Sequence, residues 1–313
     1  MVRLRSAYPG WLGPTRVLAE EVVVADRYGE VEERNWAEAR ERLGDDVNTA
    51  TAARMYDYYL GGVHNFAADR QAAAKVIDSM PLVPDIARAN RDFLGRAVRY
   101  LVGQGVRQFL DIGSGMPTQG NVHQAAQEVA PDASVVYVDI DPVAVMHSRG
   151  LLEGNARAAA VLGDLRRPGE LLEILDSPEV RAVVDLDKPV ALLLVALLHF
   201  VPDDDEAYGS VAQLRERLVP GSWMVVSHGA AEGFIAAQAK AVQGVYQQRT
   251  ATPGGLRTAE EVLRFFGDDF EVVEPGLVWT PQWRPDPDRQ GGPFADQPER
   301  SGMHAAVAHY PAA

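Results

Sequence analysis

Gln108-Phe-Leu-Asp-Ile-Gly-Ser-Gly-Met-Pro-Thr118 decides the fold. An apolar run ends at Asp111, a glycine-rich turn follows (Gly113, Ser114, Gly115), and Pro117 opens a helix-like segment. The pattern is strand, tight loop, helix N-terminus. The two glycines admit positive φ and let a ligand approach the backbone closely. The unpaired N–H groups of a helix start suit an anionic or carboxylate-bearing, nucleotide-like molecule.

Working outward from this stretch, strands and amphipathic helices alternate. Strands are expected over residues 107–112, 134–140, 158–162, 190–198 and 223–227, with final strands over 270–273 and 305–309. Helices are expected over residues 118–130, 142–153, 168–175, 204–218 and 232–250. A further helix is capped by Thr258, with Glu261 at the capping-box position. Regular alternation of this kind implies an α/β, doubly wound, mostly parallel sheet whose ligands sit at the carboxyl ends of the strands.

Upstream of residue 106 the texture is helical. Residues 1–16 read as a flexible arm, 17–105 as an N-terminal helical cap or lid, and 106–313 as the Rossmann-like core. Within the cap, Glu32–Leu43 is a charged helix stopped by Gly44. Asn48 or Thr49 can cap a helix running to Gly61-Gly62, and further helices cover residues 67–79 and 84–102.

Four strand ends carry the chemistry: Asp111 with its glycine loop, the Asp139-Ile140-Asp141-Pro142 end, Gly163-Asp164-Leu165, and Leu197-Leu198-His199-Phe200-Val201-Pro202. A carboxylate at the end of the second strand can accept hydrogen bonds from ribose hydroxyls. An acidic group past the third can accept one from an exocyclic adenine amine. Each has a plainer alternative: Asp139 and Asp141 as solvated turn residues, Asp141-Pro142 as a helix cap, and Asp164 as a turn residue. Their order on successive strand ends favours the nucleoside reading.

A dinucleotide fold requires G-x-G-x-x-G. Here Thr118 occupies the third glycine position and Gly120 comes two residues late, which disfavours an NAD-dependent oxidoreductase. A carboxylate two residues before the first glycine is more typical of S-adenosylmethionine sites, where it orders the loop or helps bind the amino-acid end.

The chain also resembles the actinobacterial S-adenosylmethionine-dependent methyltransferases once classed as a domain of unknown function. The carrying motifs are residues 53–70 (Ala-Arg-Met-Tyr-Asp-Tyr-Tyr-Leu-Gly-Gly-Val-His-Asn-Phe-Ala-Ala-Asp-Arg), 90–98, 108–120, 136–142, 197–202 and 276–285. The resemblance covers roughly residues 48–310. It implies the class I methyltransferase fold, with seven strands and the last antiparallel. It also implies S-adenosyl-L-methionine as cofactor. By resemblance, Gly113, Ser114 and Gly115 pack on the methionine part, Asp139 holds the ribose, Ile140 packs on adenine, and Asp164 with Leu165 flanks the base. Ile140 departs from the polar residue more usual there.

In the 53–70 motif, Arg54, Tyr56, Asp57, Tyr59, His64 and Asn65 cluster beside the Gly61-Gly62 break. Tyrosine faces attract a cation such as a sulfonium, and a closing cap excludes water. Tyr56 and Asn65 are therefore candidate cofactor contacts. The alternative is a helix and loop packed on the core, with its polar groups satisfying the glycine turn.

Methyl transfer needs an aligned nucleophile and, for a hydroxyl or amine, a general base. His199 is the leading candidate base, with His228 and His64 behind it. His123 reads as a packing or surface residue, and Asp203-Asp204-Asp205 as a solvated helix start. No His/carboxylate spacing argues for a metal. Trp279–Arg284 can line a substrate mouth or anchor a loop, and residues 286–300 form a flap or a surface insertion.

A net charge of −14 repels phosphate backbones and anionic lipid, so nucleic-acid and membrane partners are disfavoured. The apolar run 189–198 is too short to span a bilayer, and the N-terminus lacks a signal-peptide core. With no cysteine there is no disulfide and no thiol nucleophile, which fits a reducing cytoplasm. The expected function is O- or N-methylation of a small molecule, such as one of secondary metabolism. The alternative is a non-catalytic S-adenosylmethionine- or S-adenosylhomocysteine-binding protein. Monomer and homo-oligomer both fit.

Overall fold

Among the described residues eight strands share one sheet, and their order follows from where the chain is apolar on both faces. The structure, a computed structural model, describes residues 48–311 apart from 119, 235, 251–253 and 288–291. The expected arm at 1–16 and the helix at Glu32–Leu43 lie outside the described residues.

The central strands are β1 (Gln108–Ile112), β2 (Ser134–Asp139), β3 (Ala158–Leu162), β4 (Ala191–Val195) and β5 (Trp223–Gly229). All five run parallel. The last strand, β8 (Met303–His309), inserts antiparallel beside β5. It pairs on its other edge with two short strands, β6 (Glu271–Val272) and β7 (Val278–Trp279). The order is β3-β2-β1-β4-β5-β8-β6.

This is the expected doubly wound, mostly parallel sheet with an antiparallel final strand. It has one strand more than expected, because Pro275 and Gly276 interrupt the edge and leave β7 as a separate piece. A two-residue strand in a Trp- and Pro-rich run offers no alternation to read.

Alternate residues of each strand serve opposite layers. Leu110, Ile112, Val136 and Val138 pack with Leu171 and Leu175 of α6 (Pro168–Leu175) and with Val211 and Leu214 of α8 (Asp204–Glu216). Phe109, Val135, Leu193 and Val225 pack with Phe93, Ala97 and Leu101 of α3 (Val83–Gly103) and with Val122 and Ala126 of α4 (Val122–Val129). Each fully buried Val or Leu contributes about 1.5–3 kcal/mol, so the double coverage fixes the register of every central strand.

The helices start where the sequence supplies caps. Asp141 accepts from the Val143 N–H at 2.9 Å and starts α5 (Pro142–Leu151), with Pro142 in the first turn. Asp203 does the same for α8. Thr258 and Glu261 form the anticipated reciprocal box at α10 (Ala259–Leu263). The N-cap of α1 (Ala52–Tyr59) is Thr51 instead of Asn48 or Thr49. Thr51 is the residue whose side chain reaches the Arg54 N–H. A one-turn helix, α7 (Pro178–Arg181), is an addition to the expected elements.

Strand β4 stops at Val195 and does not continue to Leu198. Ala196 adopts φ 54°, a left-handed conformation that turns the chain into a 3₁₀ segment at Leu198–Phe200. Two tail segments are anchored in the core. Trp283 is fully buried edge-on to Phe93 and Tyr100, and Arg96 donates to the Trp283 and Thr280 carbonyls. Trp283 is therefore an anchor and not the wall of a substrate mouth. Phe294 is buried with Met80, Ile86 and Met303, which pins part of the 286–300 segment to the core. Among the described residues no helix is long and apolar enough to cross a membrane.

Candidate functional site

The Asp111–Thr118 loop leaves β1 at the carboxyl edge of the sheet and is held by its neighbour β2. Gly113 and Ser114 N–H donate to the Val138 carbonyl at 2.7 and 3.1 Å. Gly115 N–H donates to Asp139 Oδ2 at 2.7 Å, and Asp141 N–H donates to Asp139 Oδ1 at 2.8 Å. Asp139 thus locks two turns at once. Gly115 has φ 68°, and a side chain there would meet nothing within 4 Å, so the loop keeps open space above it.

Two carboxylates beside the loop lie in a dry environment. Asp111 lies beside Tyr137 of β2 in the ladder. Burial raises its pKa to about 7, partly offset by Arg91 and reinforced by Asp139. Burial likewise raises Asp139 to about 6. Past β2, Ile140 is 43 % exposed, a flat apolar surface at the site's edge. Past β3, burial opposes ionisation of Asp164 but the Arg166 fork wins and lowers its pKa, with contacts of 2.8–3.2 Å. Leu165 turns inward and belongs to the core.

The 53–70 motif folds against the loop. Gly62 approaches so closely that an added Cβ would lie 2.1 Å from Asp57 Oδ1 and 2.4 Å from the Thr118 methyl. Asn65 donates to Asp57 Oδ2 and to the Gly62 carbonyl, at 2.8 and 2.9 Å, and accepts from Arg70. Asn65 is therefore committed within the turn. Arg54 is buried between Asp69 and Asp141, and Thr51 donates to Asp141 at 2.6 Å. These bonds fasten α1 and α2 (Ala67–Ser79) to the end of β2. Tyr56 hydroxyl donates to the Ala87 carbonyl and accepts from Asn90, which in turn accepts from Ser227 at 2.6 Å.

After β4, His199 sits in the 3₁₀ segment with its Nδ1 buried and unbonded. Its ring lies 4.4 Å from Phe200 and 5.5 Å from His228. Burial, then His228 and Arg257, pushes its pKa well below the usual histidine value. His228 is held neutral too, at about 4, chiefly by burial. Its Nε2 faces Arg257 at 3.0 Å and its Nδ1 faces the Gly229 carbonyl at 2.8 Å. His64 lies elsewhere, 4.6 Å from the His147 ring. His123 bonds the Tyr137 hydroxyl and packs, as expected. Among the described residues no group of three His, Asp or Glu side chains is arranged to hold a metal.

Sequence reasoning overlooked two residues. Arg257 donates to the Leu198 and Val201 carbonyls and pairs with Asp204, holding the 3₁₀ segment in place. Arg91 lies over the Tyr56 ring, 5.7 Å from its centre. Arg257 sits in a loop with no periodic signal. Arg91 falls inside the 90–98 motif but reads locally as one more exposed helix arginine.

A family profile described as S-adenosyl methyltransferase matches residues 37–311. The chain belongs to the S-adenosyl methyltransferase family. A candidate methyltransferase from Thermobifida fusca YX is 40% identical, with a TM-score of 0.78 over 86% of this chain and 98% of that one. A DUF574 family protein from Streptomyces avermitilis MA-4680 is 42% identical, with a TM-score of 0.78 over 85% and 99%. No curated protein matches the sequence.

This S-adenosyl methyltransferase uses S-adenosylmethionine, and its residues suit that molecule. Open space lies above Gly115, Ile140 offers an apolar face, and the fully buried Asp57 keeps Oδ1 without a hydrogen-bond partner.

Proposed function

We propose that this methyltransferase acts on a small molecule at oxygen or nitrogen, with His199 as general base. The observation that carries the reading is the unbonded, neutral His199 imidazole at the end of β4, beside an aromatic wall. When bound, S-adenosylmethionine supplies a methyl group already activated on sulfur. The Gly113-Ser114-Gly115 backbone and Asp111 border its methionine part. Asp139 and Ile140 border its nucleoside, and Asp164 with Leu165 supports the base edge from behind.

Tyr56 and Asn65 act from the cap: Tyr56 carries the Arg91 guanidinium on its face, and Asn65 fixes Asp57. Phe200 touches both His199 and Tyr246 of α9 (Ala236–Arg249), with 5.3 Å between the Phe200 and Tyr246 rings. Tyr246 hydroxyl lies 3.4 Å from Tyr59 hydroxyl on α1. The helices of residues 52–79, with α9, thus pack over the Phe200 side of His199 and favour an apolar, aromatic acceptor over a polymer. The net charge of −14 points the same way, and a cytoplasmic enzyme of secondary metabolism fits the reading.

His199 Nδ1 takes the acceptor's proton as the nucleophile forms. Burial, reinforced by His228 and Arg257, disfavours the protonated imidazole and leaves a ring-nitrogen lone pair to take the proton. The test is release of S-adenosylhomocysteine across a panel of phenols and arylamines. His199→Gln lowers kcat about 10²–10⁴-fold while leaving cofactor affinity unchanged. Undiminished kcat in that variant removes His199 as base, and no turnover with any panel member removes the acceptor class.

A further inference from the structure

The turn after β4 holds an alanine where glycine is the ordinary residue. Ala196 has φ 54°, in the left-handed region, where the Cβ of an L-residue crowds the following carbonyl oxygen. A residue strained in this way persists only where its surroundings over-determine it. At Ala196 they do so from two sides. Its N–H donates to both oxygens of Ser227, to Oγ at 2.9 Å and to the carbonyl at 3.1 Å. Ser227 is the ladder partner of Val195, the last residue of β4, so the strand is caught at its final step. The Ala196 methyl also packs against the Met80, Ile86, Phe294 and Met303 cluster, a contact that glycine cannot make.

The Ser227 hydroxyl has one setting. Its oxygen accepts from the Ala196 N–H, and its proton goes the other way, to Asn90 Oδ1 at 2.6 Å. Both side chains are buried. Asn90, on α3, is oriented in turn. Its amide nitrogen donates to the Tyr56 hydroxyl at 3.0 Å, and that hydroxyl donates to the Ala87 carbonyl at 2.9 Å. The direction of every bond in the chain is thereby fixed, and Ala196 is tied through three side chains to helix α1 of the cap.

What the turn delivers is the next residue. Leu197 lies so close to Gly113 that an added Cβ there would be 2.5 Å from Leu197 Cδ1. Gly113 is the first glycine of the cofactor loop. An extended residue at 196 would instead run β4 onward by about 3.3 Å and carry Leu197 away from that loop.

We propose that Ser227 and Asn90 are positioning residues of this methyltransferase. They hold Ala196 in its left-handed turn, so that Leu197 seats the cofactor loop at Gly113 and the 3₁₀ segment starts at Leu198. The inference rests on the cofactor site at Asp111–Gly115. It gives neither residue a contact with the cofactor and makes β5 and the cap the supports of the loop.

The test is a rescue. Glycine adopts this φ without strain, so Ala196→Gly makes the Ser227 hydrogen bond dispensable. Calorimetry with S-adenosylhomocysteine reads the loop without turnover. Ser227→Ala binds it about 10-fold more weakly than the wild type. In the Ala196→Gly background the same Ser227→Ala change costs less than about twofold, a non-additive cycle. Asn90→Ala, which leaves the hydroxyl in place but unoriented, loses a similar factor and is rescued in the same way.

Ser227→Ala binding S-adenosylhomocysteine as tightly as the wild type overturns the proposal even if the variant melts lower, for the bond then only stabilises the fold. Equal losses in the two backgrounds also overturn it. If Ser227→Ala does not fold, the double variant decides: a folded protein that binds supports the proposal, and an unfolded or weakly binding one overturns it. Wild-type protein that fails to bind S-adenosylhomocysteine overturns the loop assignment beneath the proposal and the proposal with it, a result distinct from the others.

Discussion

At Asp139 a single carboxylate carries two loads. Its oxygens bind the Gly115 and Asp141 N–H groups, so the glycine loop and the start of α5 are set by one side chain. Asp139→Ala therefore removes an acceptor from two backbone donors and loosens the loop. We expect S-adenosylhomocysteine affinity to fall by about 1–3 kcal/mol in calorimetry; unchanged affinity would take Asp139 out of the site.

Asp111 makes a different prediction, one of sign. An unfolded aspartate titrates near 3.9, whereas burial lifts Asp111 in the fold to about 7. The folded state therefore holds this proton more tightly than the unfolded chain. Its stabilising effect is complete below about pH 4 and is lost as pH rises to about 7. Asp111→Asn removes that penalty, so without ligand the variant should melt above the wild type at about pH 8. The gap should close toward about pH 4, as read by thermal unfolding at several pH values. A gap that widens on acidification would show that Asp111 is stabilised as an anion.

At the scale of elements, glycines that look alike in sequence diverge in consequence. Gly62, after α1, is pressed between the Asp57 carboxylate and the Thr118 methyl. Gly62→Ala must push α1 off the loop, and a loss of about 1–3 kcal/mol in urea unfolding is expected. Gly209 lies within α8, exposed, with nothing within 4 Å of where a side chain would begin and an ordinary helical φ. Gly209→Ala should stabilise by about 0.5–1 kcal/mol, since alanine loses less backbone entropy in a helix. Two losses, or two gains, would contradict the packing described.

The buried Arg54–Asp69 pair belongs to this scale too. Burial outweighs Arg54 and raises the Asp69 pKa, so the pair contributes little net stability but orients α1 and α2 on Asp141.

These elements also separate what local sequence encodes from what it does not. The central strands, the Thr258–Glu261 box and the Asp141-Pro142 helix start were legible because hydrophobic period, caps and proline act over a few residues. The break at Ala196 was not, because nothing in Leu-Val-Ala-Leu-Leu announces a left-handed alanine. The contacts of Arg91 and Arg257 were likewise hidden. They come from partners that local pattern does not reveal, such as Tyr56 for Arg91 and His228 for Arg257.

For the whole molecule, the sheet order brings the ends of β1, β2, β3 and β4 to one edge, where a single ligand can touch all four. Such a ligand binds the fold and not the unfolded chain, so it must raise the melting temperature by mass action. At about 100-fold excess over its Kd the gain is about 2.7 kcal/mol, or roughly 4 °C for a protein of this size. S-adenosylhomocysteine should give that shift, whereas NADH at the same concentration should give none, since the third glycine of a dinucleotide loop is replaced by Thr118. A shift with NADH and none with S-adenosylhomocysteine would assign the loop to a dinucleotide after all.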